Sequence, residues 1–221
     1  MRFARAKDVF AAVTDRRTPV QSLLSALPVP VIAVEAEQVH GTGIAAVSPS
    51  QPPAERVPGC DALVTQSWDV ALLIRTADCL PVLFSDPEHE AIAIAHAGWR
   101  GLESRLPMRV LDWMRRLYGT QSDDVEVILG PAMRPCCYAV GPEFIDKFST
   151  FIRKKGETFV CDLPAIAKAQ LTAAGVRPDR IHDVGACTGC GTDTWFSLRR
   201  EGPETTRLFS LIVRLSKPSQ G

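Results

Sequence analysis

The chain lacks the features that would mark it for a charged partner or a lipid phase. Its 25 Lys and Arg balance 25 Asp and Glu, giving a formal net charge of zero. That leaves out the basic footprint on which nucleic-acid binding relies, and equally the polybasic cluster of a membrane-surface anchor. No apolar run approaches the roughly 20 residues of a membrane span; Val70-Ala71-Leu72-Leu73-Ile74 is only five residues long. The opening segment MRFARAKDVFAAVTDRR carries charges through its apolar part and has no cleavage-like site. It does not read as a secretory signal, and a cytoplasmic location is expected. Internal repeats and low-complexity tracts are missing as well.

What remains is ordinary for a globular protein. The 221 residues are 46% hydrophobic and 23% charged, which suits one mid-sized domain over residues 1–221, a monomer or small homo-oligomer. Seven Cys is an odd number. Without a secretory signal they do not form a disulfide framework and are read singly, as packing residues, metal ligands or nucleophiles.

Short β-rich runs alternate with amphipathic segments. Strands are expected at Val29–Val34, Ala62–Thr65, Val70–Arg75, Val82–Ser85, Ala91–Ala95, Val125–Leu129, Thr158–Cys161, Ile181–Val184 and Arg207–Val213. Helices are expected over Arg105–Tyr118, Pro142–Lys155 and Leu163–Ala174, each followed by a glycine. The proline-rich stretch Ser48–Pro53, continuing to Gly59, reads as a loop. The alternation gives an α/β layered domain.

Three segments set metal-ligand residues at strand ends beside glycine or proline: QVHG at 38–41, RTADCLP at 75–81 and AHAGWRG at 95–101. A buried strand that ends in polar residues delivers them to a sheet edge, where α/β proteins place ligands. His40, Cys79 and His96 together would make a three-donor zinc site with a fourth position open. Cys79 follows His40 by 39 residues and His96 follows Cys79 by 17, so no short spacing announces the set. Taken from the residues alone, each of the three also has a structural reading, as a packed Cys or a hydrogen-bonded His.

The stretch VALLIRTADCLPVLFSDPE, followed by AIAIAHAGWRGL and VILGPAMRPCCYAVGPEF, resembles the YfiH/laccase-domain family, also described as multicopper polyphenol oxidase-like or purine nucleoside phosphorylase-like. QVHG and DALVT upstream, with DVGACTGC, WFSLRREG and TTR downstream, extend the similarity over residues 30–213. The resemblance implies a YfiH-like layered α/β/β/α sandwich, and it matches His40, Cys79 and His96 to zinc ligands. It implies phosphorolysis of purine nucleosides (adenosine, inosine, guanosine, methylthioadenosine), with deamination of adenosine as a second reaction. Copper-dependent oxidation of phenols attaches to the same family. An oxidase with several copper centres needs more imidazoles than the four His here, so the residues favour zinc over copper.

Roles follow from chemistry. A divalent ion lowers the pKa of a bound water to about 7, and Asp78, beside a ligand, is the acid/base expected for deamination. Arg75 and Arg100 are the expected phosphate contacts, since a guanidinium grips phosphate bidentately. Two other readings stay open. One is a hydrolase in which Cys79 attacks and His96 or His40 acts as base; the other is a non-enzymatic metal-binding protein. Cys136-Cys137 is read as a packed loop lining the cleft, and Cys187-Thr188-Gly189-Cys190, lacking a second CxxC, as a structural turn. Cys60 and Cys161 are read as buried, His89 as solvated, and His182 as having no ligand partner. The N-terminus lacks the Gly-Gly of the family's opening segment, which leaves Arg16 as its one weak candidate for a substrate contact.

Overall fold

The computed structural model describes residues 1, 3–49 and 56–217; Ser50–Pro53 of the expected proline loop lie outside the described residues. The first elements are β1 (Val9–Val13), α1 (Val20–Ser25), β2 (Ile32–Glu35), β3 (Ile44–Ala46), β4 (Ala62–Thr65), β5 (Val70–Thr76), β6 (Leu80–Asp86) and β7 (Ala91–Ala97). Next come α2 (Trp99–Glu103), α3 (Leu106–Tyr118), β8 (Glu126–Leu129), β9 (Ala139–Val140), α4 (Glu143–Phe148), β10 (Ile152–Lys155) and β11 (Thr158–Cys161). The chain closes with α5 (Leu163–Ala173), β12 (Ile181–Asp183), α6 (Leu198–Glu201) and β13 (Leu208–Arg214).

Two sheets face each other. One has the order β1-β13-β5-β2 and the other β12-β8-β6-β7-β4-β3, while β10-β11-β9 form a small third sheet. Leu72, Ile74 and Ile212 of the first meet Leu63, Leu83, Ile92, Ile94 and Ile128 of the second in one buried cluster. The outer face of the four-stranded sheet packs Ala71, Leu73, Leu211 and Val213 against Val20 of α1. The outer face of the six-stranded sheet packs Val82, Phe84 and Ala93 under Val110 and Met114 of α3 and Ile166 of α5. The layers are therefore α/β/β/α, as the resemblance implied. Both faces of β6 and β7 are covered, which is why LPVLFSD and AIAIAHA are buried at every position rather than alternating. Among the described residues no helix is long and apolar enough to cross a membrane.

Most expected elements lie where the pattern placed them, but the helix over Pro142–Lys155 is corrected. It stops at Phe148, passes through a 3-10 turn and continues as β10, which pairs antiparallel with β11. Gly156, at φ +60, turns a hairpin instead of closing a helix. Both uses need a left-handed residue, so glycine could not tell them apart, and pairing of Ile152 with Cys161 decides it. The sequence reading also passed over β1, β3, β9, α1, α2 and α6, all of seven residues or fewer.

Arg16 belongs to the fold. Its guanidinium pairs with Glu201, donates to the Trp195 carbonyl at 3.2 Å and lies 4.4 Å over the Phe196 ring. It ties the N-terminal segment to the loop before α6. Burial raises the Glu201 pKa, but hydrogen bonds from Arg16, the Ser197 N–H, Thr205 and Arg200 outweigh it and bring it from 4.5 to about 2. A carboxyl lowered in the folded state contributes stability above its unfolded pKa, and that contribution is lost as pH falls through the folded value. Glu201→Gln should lower the melting temperature at neutral pH and flatten its fall between about pH 4.5 and 2. Melting curves across that range test this, and parallel curves for the two proteins would refute it.

Candidate active site

The hairpin of β6 and β7 closes the smaller gap in sequence, the 17 residues between Cys79 and His96. Its antiparallel register sets Pro81 opposite His96 and Leu80 opposite Ala97. Cys79, one residue before β6, thereby reaches His96 near the end of β7. The glycine of HAGWRG has a steric reason: a Cβ on Gly98 would lie 2.9 Å from the Cys79 sulfur, too close for a real Cβ contact.

His40 arrives from the other sheet. Beyond the end of β2, the Gln38 side chain continues the pairing with β5, donating to the Arg75 carbonyl at 2.5 Å and accepting from the Arg75 N–H at 2.7 Å. Gln38 and His40 are both left-handed, at φ +64 and +58. That strain, about 1–2 kcal/mol per residue, is offset by Asp61. Its buried carboxylate accepts the backbone N–H groups of Val39 at 3.2 Å, His40 at 3.0 Å and Gly41 at 2.7 Å. The same carboxylate holds His96 Nδ1 at 2.8 Å, so the imidazole presents Nε2 to the site.

The donor atoms of His40, Cys79 and His96 lie within 4.8 Å of one another, and the two rings meet nearly perpendicular at 4.8 Å. His96 is buried, Cys79 half-buried and His40 exposed, so the trio opens toward solvent on the His40 side. Burial disfavours both charges in the pair. Hydrogen bonds from His40 and His96 nevertheless lower Cys79 from 9.0 to about 6, and Asp61 and Cys79 raise His96 from 6.5 to about 9. A thiolate between two imidazoles, one oriented by a carboxylate, fits a borderline-soft divalent ion.

A cleft of about 550 Å³ opens over the trio, a volume suited to a small organic ligand. Arg75, Arg207 and Glu37 line it with Leu198 and Phe209. Arg75 Nε is held by Glu35 at 2.7 Å. Two expected residues lie elsewhere. The Asp78 carboxylate, on a left-handed residue at φ +92, accepts from the Thr188 hydroxyl at 2.7 Å and the Arg199 N–H at 2.8 Å. It fastens two loops and does not line the cleft. Arg100 lies 4.2 Å over the Trp99 ring, outside the cleft wall. The other two His are also remote: His89 binds Asp86 at 2.9 Å, and His182 binds Glu126 at 3.1 Å.

Sequence reasoning missed Asp61, Gln38 and Arg207. Asp61 opens the DALVT strand, and its polar start ahead of an apolar run was the available signal. A second group was also missed: Cys136, Cys137, Cys187 and Cys190 come within 4.8 Å of one another, although each pair was read as a plain turn or packed loop.

The layered α/β architecture thus brings two imidazoles and a thiolate, a group that could hold a metal ion, together at the ends of two central strands. The chain belongs to the multi-copper polyphenol oxidoreductase laccase family, whose sequence model matches residues 4–215. It is 34% identical over 194 residues to purine nucleoside phosphorylase YlmD of Geobacillus stearothermophilus, covering 80% of this chain and 70% of that protein. It is 33% identical over 165 residues to adenosine deaminase RL5 of an unknown prokaryotic organism, covering 71% of this chain but only 63% of RL5. The crystal structure of YlmD superposes with a TM-score of 0.89 at 27% identity, over 96% of this chain and 94% of that one.

Two substitutions test the geometry. Asp61→Asn leaves either His96 Nδ1 or backbone N–H groups facing an amide, and should weaken metal binding about 10–100-fold in chelator competition. Unchanged affinity would mean that Asp61 serves the fold alone. Gly98→Ala should displace the Cys79 sulfur and also weaken metal binding, with a melting temperature close to that of the parent. Parental affinity in this variant would show that the sulfur is not confined as described.

Proposed function

We propose that the protein is a zinc-dependent purine nucleoside phosphorylase with adenosine deaminase activity as a second reaction. The observation that carries this reading is the convergence of His40, Cys79 and His96 on a cleft that also holds Arg75 and Arg207. Among its relatives, those named purine nucleoside phosphorylase and adenosine deaminase supply the reaction classes. Zinc fits the donor set better than copper, because two of the four His are engaged elsewhere and, among the described residues lining the cleft, no further imidazole or thioether completes a copper site. When bound, zinc supplies Lewis-acid polarisation and a water of lowered pKa.

The chain's own residues do the rest. Arg75 and Arg207 grip phosphate through charge-assisted hydrogen bonds, with Glu35 fixing the Arg75 fork. Leu198 and Phe209 give the purine an apolar wall, and Glu37 accepts hydrogen bonds from sugar hydroxyls. In phosphorolysis a phosphate oxygen bonds to C1′ as the N9–C1′ bond breaks; the electron pair leaves with the base, which takes up a proton. Holding phosphate and nucleoside together in one cleft supplies much of the rate enhancement by proximity. A reducing, cytoplasmic setting accompanies this reading, since all seven cysteines are free.

Incubation with adenosine, with and without phosphate, tests the proposal. Adenine and ribose 1-phosphate should form only with phosphate, and inosine should form without it. A zinc-replete protein that converts no purine nucleoside would overturn the reading. Activity in metal-free protein that is lost on alkylation of Cys79 would replace it with the cysteine nucleophile. Arg75→Ala should raise the phosphate KM of phosphorolysis roughly tenfold or more, as loss of a charged hydrogen bond predicts, while deamination changes little. Equal losses in both reactions would remove Arg75 from the phosphate site.

A further inference from the structure

The four-cysteine group has no part in the chemistry above, and its geometry stands independently of it. We propose that Cys136, Cys137, Cys187 and Cys190 form a second, structural zinc site.

The sulfur separations carry the first argument. Cys136 Sγ lies 3.4 Å from Cys187 and 3.5 Å from Cys190, Cys137 Sγ lies 3.1 Å from Cys190, and all four sulfurs fall within 4.8 Å of one another. A tetrahedral ion with Zn–S bonds of about 2.3 Å has sulfur–sulfur edges of roughly 3.8 Å, inside that span. The four thiols share one centre instead of separating into two bonded pairs.

The backbone is shaped to bring them there. Adjacent cysteines on a strand would point to opposite faces. Here they sit on a tight turn, with the Cys137 and Tyr138 N–H groups both donating to the Arg134 carbonyl at 2.8 and 2.7 Å. Opposite it, the CTGC turn depends on its glycine: a Cβ on Gly189 would lie 2.5 Å from Cys137 Cβ and 2.9 Å from Cys137 Sγ. Backbone N–H groups of Cys190, Gly189 and Arg134 face the Cys187 sulfur, the arrangement that steadies a coordinated thiolate.

Charge completes the argument. A divalent ion with four thiolates carries two net negative charges, and cationic side chains bind the carbonyls of the ligand turns. Lys155 Nζ donates to the Cys136 carbonyl at 2.9 Å, and Arg200 donates to the carbonyls of Thr188 at 2.6 Å and Gly189 at 2.9 Å. Loading forms four Zn–S bonds and releases the four thiol protons to solvent. The ion would clamp the 187–190 turn to the 134–137 turn, next to the Thr188 hydroxyl that holds Asp78.

Zinc content measured on the full chain, expressed with zinc and passed through a desalting column, tests the site. The parent should carry about two zinc ions per chain, and Cys79→Ala and the double variant Cys136→Ser/Cys190→Ser about one each. One ion in the parent and none in Cys79→Ala would overturn the proposal. Peptide mapping of the parent does not depend on the variants folding. All four thiols should resist alkylation in zinc-loaded protein and become labelled as a chelator withdraws the metal. Free labelling in the loaded protein, or recovery of the four residues as disulfides, would overturn it equally.

Discussion

The site depends on one buried carboxylate. Asp61 takes three backbone N–H groups from the loop that carries His40 and the ring nitrogen of His96, and its own carbonyl accepts the His96 N–H at 2.8 Å. Burial would raise its pKa, but His96 and the N–H groups of Gly41 and His40 outweigh that and hold it below the ordinary carboxylate range. Hydrogen bonds to a charged group contribute about 1.5–3 kcal/mol each. Several of them exceed the cost of a loop with two left-handed residues. Without this anion the His40 loop has nothing to wrap around, and the tautomer of His96 is unfixed.

The strands that deliver the ligands were legible because they are buried on both faces. Ala62–Thr65 and the cores of β5, β6 and β7 stand out as apolar β-rich runs, and the polar residues at their ends stand out against them. Less legible was anything decided by tertiary contact. Ile152–Lys155 carries no alternation, being exposed at three of its four positions, so only its pairing with β11 makes it a strand. Asp61 looked like any polar residue before a strand. The two cysteine pairs lie 51 residues apart, and neither turn names the other as its partner. Arg100 failed for a different reason: position after a strand indicates which edge a residue occupies, but not whether a neighbouring indole captures its side chain.

Asp78 gains a different meaning from the one its neighbour Cys79 suggested. Its oxygens bind the Thr188 hydroxyl and the Arg199 N–H, and its carbonyl accepts the Met133 N–H at 2.9 Å. One residue therefore joins the ligand loop, the turn before Cys136, the CTGC turn and the start of α6. Its left-handed backbone is the strain that these bonds jointly maintain. Asp78 thus bonds both to Arg199, next to Leu198 of the cleft wall, and to Thr188 of the turn that carries two of the four cysteines.

The burial gradient across the trio sets a buried His96 and a half-buried Cys79 against an exposed His40. His96 and Cys79 come from a strand pair packed between two layers, where neither can move without disturbing the core. His40 comes from an exposed loop anchored by Asp61, by the Gln38 side chain on Arg75 and by the Gln38 N–H on the Cys60 carbonyl at 2.9 Å. Two of the three donors are fixed by the packed strands, while the third lies on the solvent side, beside the cleft. Burying His40 as deeply as His96 would close that face to the cleft. Loosening the hairpin instead would scatter the donors. The three donors are thus divided between the packed ends of two central strands and a pinned loop, with the cleft open on the loop's side.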